Sequence, residues 1–311
     1  MLKEKEVENE IDIQGFLHGN RNYGAIGMHN RVRPLFSLPR RAESLTAYHI
    51  LLTEPYFAWH KGPFQMREYE RVTAELSVRL WRRYNGPIYL MTDRQGAAYC
   101  REQGMEKLYD GVDDSLSGQK YCIDMKKYWA AGKIIALLNI QAPCVIIDLD
   151  MLIWKPLELG GCQVAAAHTE PIIEELYPPF AEFIMSPRYQ FPKQWDLSVE
   201  PLNTSFVYFA DEGFKNDYAR QAIRFMQYER NTQDSLSRCM IFAEQRILGM
   251  CATAYGIQAK TFLEYGKPLD RQEFMTHIWS GKELLRTHTR AESEYNVLCG
   301  KKIAQLAEMG V

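Results

Sequence analysis

Residues 144–157 read Cys-Val-Ile-Ile-Asp-Leu-Asp-Met-Leu-Ile-Trp-Lys-Pro-Leu, and this stretch decides the fold. Its first four residues, 144–147, are uncharged and mostly β-branched, which is typical of a strand buried on both faces of a parallel sheet. Asp148 and Asp150 follow at the carboxyl end of that strand, where open α/β sheets bind their ligands. Because alternate strand residues share a side, both carboxylates can converge on one hard cation such as Mg²⁺ or Mn²⁺. The stretch therefore predicts a central strand that ends in a metal site.

The composition is that of a folded, globular protein. Of the 311 residues, 46% are hydrophobic and 24% are charged, which argues against a disordered or fibrous chain. The formal net charge of -2 gives no reason to expect a nucleic-acid partner. The length is compatible with one large α/β domain or two small ones, and we favour one.

Cysteine use and hydropathy indicate the compartment. The seven cysteines include no C-x-x-C pair, which argues against a disulfide framework or a zinc knuckle. The amino terminus has no apolar signal-peptide core, and the longest uncharged run, residues 134–147, is too short to span a bilayer. We therefore expect a cytoplasmic protein without a transmembrane segment.

Residues 1–44 are polar and gather four arginines around two prolines, which predicts a loosely structured lead-in. The arginines could contact an anionic ligand or a membrane surface, but a solvated charged segment is the favoured interpretation. The folded domain is then expected to comprise residues 45–311.

Apolar periodicity divides residues 45–311 into alternating strands and helices, an order typical of a parallel, doubly wound sheet. The predicted strands cover residues 45–52, 88–91, 107–111, 144–147, 163–167, 201–210 and 274–279. The predicted helices cover residues 66–84, 95–103, 121–138, 212–228, 240–255 and 291–309, with a turn at 53–55, and the last helix is expected to pack on the sheet. Residues 177–195 are too rich in aromatic residues and prolines for a regular element. They form a lid or binding loop, or an irregular surface insertion packed by its own aromatic side chains.

Two buried carboxylates one residue apart repel each other strongly unless a metal or a basic partner neutralises them. A divalent ion held by only two side chains keeps open positions for phosphate oxygens, as when Mg²⁺ is shared with a nucleotide. Asp148 and Asp150 therefore suggest a substrate that carries a diphosphate. The sequence contains neither the G-x-G-x-x-G dinucleotide fingerprint nor the G-x-x-x-x-G-K-[ST] phosphate-binding loop.

Four segments occur in an order that resembles a known enzyme family. The first is a helix with Lys133, followed by the 144–147 strand, Asp148-Leu149-Asp150 and Leu-Ile-Trp-Lys-Pro-Leu. The others are Asn203-Thr204-Ser205-Phe206-Val207, Glu244-Gln245 and His277-Ile278-Trp279-Ser280-Gly281-Lys282. Together they resemble nucleotide-sugar-dependent glycosyltransferases of the A-type fold, especially the metal-dependent group with glycogenin and bacterial lipopolysaccharide α-glycosyltransferases. Two details differ from the family pattern: Ser205 replaces the usual glycine of its Asn-Thr/Ser-Gly strand, and the step from His277 to Gly281 is one residue longer than His-x-x-Gly.

The resemblance implies a single Rossmann-like α/β domain of the A-type glycosyltransferase fold, with a mostly parallel central sheet flanked by helices. Residues 45–160 would bind the nucleotide sugar, and residues 161–311 would bind the acceptor and complete the metal site. The implied reaction moves a sugar from a nucleotide-diphosphate donor, expected to be a UDP-sugar, to a hydroxyl of a glycan, lipid-linked or other acceptor. Retention is favoured over inversion, which would need a carboxylate base. Mn²⁺ or Mg²⁺ is the implied cofactor, and peripheral contact with a membrane is compatible with this activity.

The resemblance, together with positions that follow predicted strands, gives the candidate site. The expected metal ligands are Asp148, Asp150 and His277; the expected donor contacts are Thr53, Asp93, Lys133, Asp148, Asn203, Thr204 and Lys282; and the expected catalytic residues are Glu244 and Gln245. Each assignment has a structural alternative. The alternatives are a helix cap for Asp93, a cap or salt bridge for Asp148 and Asp150, a core position for His277, and a solvated helix face for Lys133 and Glu244.

Two other functions stay open at this point. Haloacid-dehalogenase-like phosphatases also place Asp-x-Asp after an apolar strand, with the first aspartate as the nucleophile. In that family the motif lies near the amino terminus and precedes a small Gly-Thr or Thr/Val step, whereas Met151 and Leu152 follow it here. A non-catalytic module that binds a sugar or a nucleotide would keep the same fold.

Overall fold

The computed structural model of the protein describes residues 44–118, 121–231, 236–266, 272 and 274–311. The predicted lead-in, residues 1–44, lies outside the described residues except for Ser44. The strands are β1 (Ala47–Leu51), β2 (Ile88–Thr92), β3 (Val112–Asp113), β4 (Cys144–Ile147), β5 (Met151–Ile153), β6 (Val164–Ala166), β7 (Phe206–Phe209), β8 (Lys260–Thr261) and β9 (Met275–His277). The helices are α1 (Glu54–Phe57), α2 (Glu68–Tyr84), α3 (Arg94–Glu102), α4 (Ala131–Leu137), α5 (Glu212–Tyr228), α6 (Leu236–Ile241), α7 (Ile247–Ala254), α8 (Lys282–Thr287) and α9 (Thr289–Glu308). A π-helical turn, Phe242–Arg246, joins α6 to α7, and short 3₁₀ helices cover Met105–Leu108, Phe180–Glu182 and Ile278–Gly281.

Seven of the strands form one sheet in the order β3-β2-β1-β4-β7-β6-β8. The pairs β2/β3, β1/β2, β1/β4 and β6/β8 are parallel, whereas β7 runs antiparallel to both β4 and β6. The predicted α/β fold, with a mostly parallel central sheet flanked by helices, is therefore confirmed. No helix among the described residues has the length and apolar character needed to cross a membrane.

β4 lies in the middle of the large sheet because it is apolar on both faces. Cys144 and Ile146 pack in one hydrophobic core, and Val145 and Ile147 pack in the core on the other face. All four side chains are buried, as the sequence predicts. Burial of apolar surface on both sides therefore fixes this strand between β1 and β7, with its carboxyl end at the edge where Asp148 begins.

A second, two-stranded sheet brings a distant part of the chain to the carboxyl end of β4. The chain turns at residues 148–150 and continues as β5, which pairs antiparallel with β9. Met151 lies opposite His277 in this pairing, and the backbone N–H of Ile278 donates to the carbonyl oxygen of Asp150 at 3.1 Å. The predicted last strand therefore exists, but it pairs outside the central sheet.

The prediction of a strand at residues 107–111 is wrong. A 3₁₀ helix, Met105–Leu108, occupies most of that range, and β3 begins only at Val112. Gly104 has a φ of 70°, a left-handed conformation that glycine adopts without steric cost, and it separates α3 from the 3₁₀ helix.

Two further predictions need correction near the helix starts. The helix predicted at 121–138 is only α4, because the Asp124 carboxylate accepts a hydrogen bond from the backbone N–H of Lys126 at 3.0 Å, a local bond that competes with helix formation. The predicted turn at 53–55 is the start of α1, where Pro55 occupies the first helical turn.

The closing helix, α9, packs on α2 and not on the central seven-stranded sheet. α2 has two apolar faces: Ala74 and Val78 belong to the core beneath the sheet, whereas Leu76 and Leu80 cluster with Tyr295 of α9. Because α2 already covers this part of the sheet, α9 forms an outer layer.

Residues 177–195 are irregular apart from one 3₁₀ turn. Phe180 packs on Phe191 with 4.4 Å between ring centroids, and Phe183 packs on Phe242 with 4.7 Å. The segment is therefore irregular and packed in part by its own aromatic side chains, and Phe183 anchors it in the core. A role as a lid or binding loop stays a prediction.

Candidate functional site

Asp148, Asp150 and His277 meet at the carboxyl edge of the central strands. One potential ligand atom from each lies within 4.8 Å of the other two. The backbone fixes this arrangement: the N–H of Asp148 donates to the carbonyl oxygen of Ser205 at 2.8 Å, and the N–H of Met151 donates to the carbonyl oxygen of Asp148 at 3.0 Å. The pairing of β5 with β9 then places His277 beside Asp150.

The three side chains fit a divalent cation. Ligands of one ion, each at roughly 2.0–2.6 Å from it, lie no more than about 4–5 Å apart. Asp150 Oδ2 is buried and has no hydrogen-bond partner among the described residues. Lys282 Nζ lies 2.9 Å and His277 Nε2 3.4 Å from that oxygen, as ion-pair contacts. A buried carboxylate oxygen of this kind is what a cation would satisfy.

Lys133 balances the charge on the other side of the cluster. Its ammonium nitrogen lies 2.8 Å from Asp148 Oδ1 and also contacts Glu244 Oε1. Its side chain is only 14% exposed, so the solvated alternative for this residue is wrong. Burial lowers the pKa of Lys133, but the carboxylates of Asp148 and Glu244 outweigh it and raise that pKa above its ordinary value.

The two aspartates differ in their electrostatic environment. Burial raises the pKa of Asp148, and Lys133 offsets this only in part. Burial also acts to raise the pKa of Asp150, but His277 and Lys282 outweigh it, and the pKa is held well below its usual range. Asp150 therefore keeps its negative charge and is the stronger candidate for a permanent cation ligand.

Glu244 and Gln245 lie in the π-helical turn, which replaces the continuous helix predicted at 240–255. Glu244 is buried, and its Oε1 accepts a hydrogen bond from Thr204 Oγ1 at 2.5 Å, so the alternative of an exposed helix glutamate is wrong. The turn leaves two backbone carbonyl groups to be satisfied from outside. Tyr218 O–H donates to that of Glu244 at 2.7 Å, and the N–H of Leu202 donates to that of Gln245 at 3.2 Å.

Asn203 lies directly before Thr204 and joins a second hydrogen-bond network. Its Nδ2 donates to Glu170 Oε1 at 2.7 Å. Tyr177 O–H lies 2.5 Å from Glu170 Oε2 and 2.5 Å from Gln245 Oε1. Sequence reasoning missed Glu170 and Tyr177, and the only available signal was that Glu170 follows a strand candidate within a few residues.

Thr53 and Asp93 are brought to each other, and within the described part of the chain neither makes a hydrogen bond or ion pair with the metal cluster. The Asp93 carboxylate accepts hydrogen bonds from the backbone N–H of Gly96 at 2.8 Å and from the backbone N–H of Thr53 at 2.7 Å. The helix-cap alternative for Asp93 is therefore confirmed at the start of α3, and contact of either residue with a nucleotide stays a prediction.

A cavity of about 550 Å³ opens beside Asp150 and Lys282. Its wall includes the aromatic side chains of Tyr56, Phe64 and Tyr69 and the basic side chains of Arg67 and Arg286. None of these five was singled out from the sequence, because a basic or aromatic residue on a helix or loop has no distinctive spacing.

The sequence matches the model of a family of unknown function, DUF6734, over residues 55–289. No curated protein matches it. Similar solved structures include the PaToxG glycosyltransferase, with 11% identity over 85% of this chain and 87% of that chain and a TM-score of 0.39. They also include the galactosyltransferase LgtC in complex with donor and acceptor sugar analogues, with 10% identity over 83% of this chain and 96% of that chain and a TM-score of 0.39. Mouse xyloside xylosyltransferase 1 in its apo form has 10% identity over 76% of this chain and 97% of that chain, with a TM-score of 0.37.

Proposed function

The chain belongs to the DUF6734 family, whose function is unknown, and we propose that it is a metal-dependent glycosyltransferase acting on a nucleotide-diphosphate sugar. One observation carries the proposal: the cluster of Asp148, Asp150 and His277 lies at the carboxyl edge of the central sheet, and Asp150 borders a cavity of about 550 Å³. The cluster supplies ligands for a cation, and the cavity supplies room for a nucleotide-diphosphate sugar that binds the same cation.

The charge balance of the site supports a diphosphate substrate. Three carboxylates, those of Asp148, Asp150 and Glu244, face two ammonium groups, those of Lys133 and Lys282. A bound divalent cation reverses the sign of this local charge and favours an anion beside it. When bound, the cation also stabilises the negative charge that develops on the leaving nucleotide.

The residues around the cavity have distinct parts in this proposal. Lys282 and Arg286 would bind the phosphate oxygens, because both are basic residues that border the cavity and Lys282 lies 2.9 Å from Asp150 Oδ2. Tyr56 and Phe64 would pack against the nucleoside. Asn203, Thr204, Glu244 and Gln245 would face the donor sugar, as the sequence resemblance implies.

Retention is the proposed outcome of the transfer. Inversion needs a carboxylate that is free to take the proton of the acceptor hydroxyl. Glu244 is a poor base for this, because Lys133 and Thr204 already engage its carboxylate. In a retaining transfer the departing phosphate takes that proton. A UDP-sugar as donor, Mn²⁺ or Mg²⁺ as cofactor, and a glycan, lipid-linked or other hydroxyl acceptor complete the proposal, and the cytoplasmic location stays a prediction.

A panel of nucleotide sugars tests this function. The protein is incubated with each sugar in the presence of Mn²⁺, and release of the free nucleotide is measured. We expect metal-dependent release with at least one donor, loss of release in Asp150→Asn, and full release in the matched control Asp114→Asn, which changes an exposed aspartate. Phosphate release from a monoester, abolished by Asp148→Asn, would instead identify a haloacid-dehalogenase-like phosphatase, and binding without any product would identify a non-catalytic module.

A further inference from the structure

A chain of side-chain hydrogen bonds runs from the start of β7 to the π-helical turn. It connects Ser205, Asn203, Glu170, Tyr177 and Gln245, in that order. Each contact is between 2.5 and 3.1 Å. Because hydrogen bonds need one donor and one acceptor, the direction of each contact can be worked out from its neighbour.

The direction is fixed at the Ser205 end. The backbone N–H of Ser205 can only donate, and it lies 3.1 Å from Asn203 Oδ1, which the Ser205 hydroxyl also reaches at 2.5 Å. This orients the Asn203 amide, so that its Nδ2 faces Glu170 and donates to Oε1 at 2.7 Å. Ser205, which replaces the glycine that is usual in the family this sequence resembles, thus helps to orient Asn203.

At Tyr177 the two hydrogen-bond contacts require more protons than the hydroxyl has. Its hydroxyl has one proton but lies 2.5 Å from two oxygen positions, Glu170 Oε2 and Gln245 Oε1. An ionised carboxylate can only accept, so the proton of Tyr177 goes to Glu170. The oxygen of Tyr177 then has only lone pairs for Gln245. The contact is a hydrogen bond only if the Gln245 amide is turned by 180°, so that its nitrogen and not its oxygen faces Tyr177.

We propose that Glu170 and Tyr177 are positioning residues that orient the amide of Gln245, holding its nitrogen on Tyr177 and leaving its carbonyl oxygen at the other amide position. Gln245 is only partly buried, and its other amide position makes no hydrogen bond among the described residues. Gln245 directly follows Glu244 in the chain, and Lys133 links Glu244 to Asp148 of the metal cluster. The chemical role rests on the proposed function: a fixed carbonyl oxygen is the negative end of a dipole and stabilises positive charge on the sugar carbon during transfer.

The network is not needed to hold the segments of Glu170, Asn203 and Gln245 together. Backbone bonds already do so: the N–H of Asn203 donates to the carbonyl oxygen of His168 at 2.8 Å, that of Glu170 to Pro201 at 3.0 Å, and that of Leu202 to Gln245 at 3.2 Å. Loss of the Tyr177 hydroxyl should therefore free the amide of Gln245 without separating the segments.

An NMR measurement on the free protein tests the orientation directly. The protein is deuterated, with protonated tyrosine and ¹⁵N-labelled glutamine, and the Gln245 amide signals are assigned by their loss in Gln245→Met. We expect a strong NOE between the Gln245 amide protons and the ring of Tyr177, because the nitrogen would be the atom in contact. Absence of this NOE in the folded wild-type protein would overturn the proposal.

Variants then separate the two positioning residues from their surroundings. Glu170→Ala lets Tyr177 donate to the Gln245 oxygen, so the NOE should weaken, and an unchanged NOE would contradict a role for Glu170. Tyr189→Phe is the matched control, because the Tyr189 hydroxyl lies in the same irregular segment and has no hydrogen-bond partner among the described residues. Its loss should leave the NOE of Gln245 unchanged.

The catalytic consequence needs a donor identified by the nucleotide-sugar panel. With that nucleotide sugar, Tyr177→Phe should lower kcat by about tenfold or more and leave KM nearly unchanged, since the orientation matters most where charge develops. Tyr189→Phe should change neither. An unchanged kcat in Tyr177→Phe would contradict the role in transfer. If no donor is turned over, the proposed function fails, whereas the NOE still decides the orientation of the amide.

Discussion

The ammonium nitrogen of Lys133 lies 2.8 Å from the Oδ1 atom of Asp148, in a position almost closed to water. The same nitrogen contacts the carboxylate of Glu244 and, more weakly, the carbonyl oxygen of Thr204 at 3.4 Å. One cation thus joins α4, the end of β4 and the π-helical turn, three parts of the chain that the fold brings together from distant positions in the sequence.

Removal of the Lys133 ammonium group should strongly destabilise the protein. In Lys133→Met, the buried carboxylate of Glu244 and the partly buried carboxylate of Asp148 lose their common partner, and loss of one member of a buried ion pair costs roughly 3–5 kcal/mol. Urea unfolding of the purified variant measures the change. The double variant Lys133→Met/Glu244→Gln removes one of the two orphaned charges and should recover part of the loss. A single variant within about 1 kcal/mol of the wild type would contradict the pairing.

The metal cluster makes a prediction that needs no substrate. Asp150→Asn and His277→Gln should each lower the affinity for Mn²⁺ by at least about tenfold, because each removes a charged or strong ligand from the same ion. Titration calorimetry with MnCl₂ measures the affinity, and Asp114→Asn should bind as the wild type does. Equal affinity in all four proteins would show that this cluster does not hold the cation.

Lys282 should lower the affinity of the site for the metal cation and raise its affinity for the nucleotide. Its ammonium group lies 2.9 Å from Asp150 Oδ2, the oxygen that a cation would use, so the two positive charges compete for one ligand. Lys282→Met should therefore bind Mn²⁺ more tightly by at least about threefold in the absence of nucleotide, and should bind UDP more weakly in the presence of Mn²⁺. Calorimetric titrations with each ligand give both numbers, and weaker Mn²⁺ binding would show that Lys282 supports the cation.

Local patterns in the sequence predicted the parts of the fold that local forces determine. β4 has the predicted bounds, because four consecutive apolar and mostly β-branched residues favour a strand that is covered on both faces. α5 also has the predicted bounds, since Asp211 caps its first turn by accepting from the N–H of Phe214 at 2.7 Å. The turn chemistry at Asp124 was available in the sequence but was outweighed by the helical spacing of the apolar residues around it.

Without the family resemblance, the site was predictable only where a residue follows a recognisable strand. Asp148 and Asp150 come directly after β4. The resemblance added His277 as a ligand and Lys133, Asn203, Thr204, Glu244, Gln245 and Lys282 as further candidates. The contacts of Lys133 with Glu244 and of Tyr177 with Gln245 depend on the π-helical turn, which breaks the regular helical period and has no sequence signature. Glu170 meets Asn203 through long-range folding, so a pattern within one segment could not reveal it.

Two helical glycines should respond in opposite ways to alanine. In Gly249→Ala the new Cβ atom would lie 2.6 Å from the carbonyl oxygen of Glu200, a backbone atom that cannot move freely, so the variant should be destabilised by about 1–3 kcal/mol. Gly300 is exposed on α9 with no atom within 4 Å of such a Cβ, so Gly300→Ala should gain up to about 1 kcal/mol from helix propensity alone. Thermal and urea unfolding of both variants check this. If both gained stability, the close packing of α7 on Glu200 would be wrong.

His49 should make stability depend on pH. Its imidazole lies at the centre of β1, and burial lowers its pKa from 6.5 to about 3. Ser77 Oγ donates its proton to the carbonyl oxygen of Met151 at 2.6 Å, so it accepts from His49 Nε2 at 3.2 Å, and Tyr109 O–H then donates to Nδ1 at 3.0 Å. This network suits the neutral ring.

In the unfolded chain the ring of His49 binds a proton below pH 6.5, whereas the folded ring does so only near pH 3. The contribution to stability is therefore full above pH 6.5 and is lost progressively as the pH falls towards 3. Between pH 7 and pH 5 the loss should be about 2 kcal/mol. His49→Gln, which cannot titrate, should lack this component in urea unfolding at the two pH values. Ser77→Ala keeps the imidazole and should retain it, and an equal pH dependence in His49→Gln and the wild type would contradict the burial of a neutral ring.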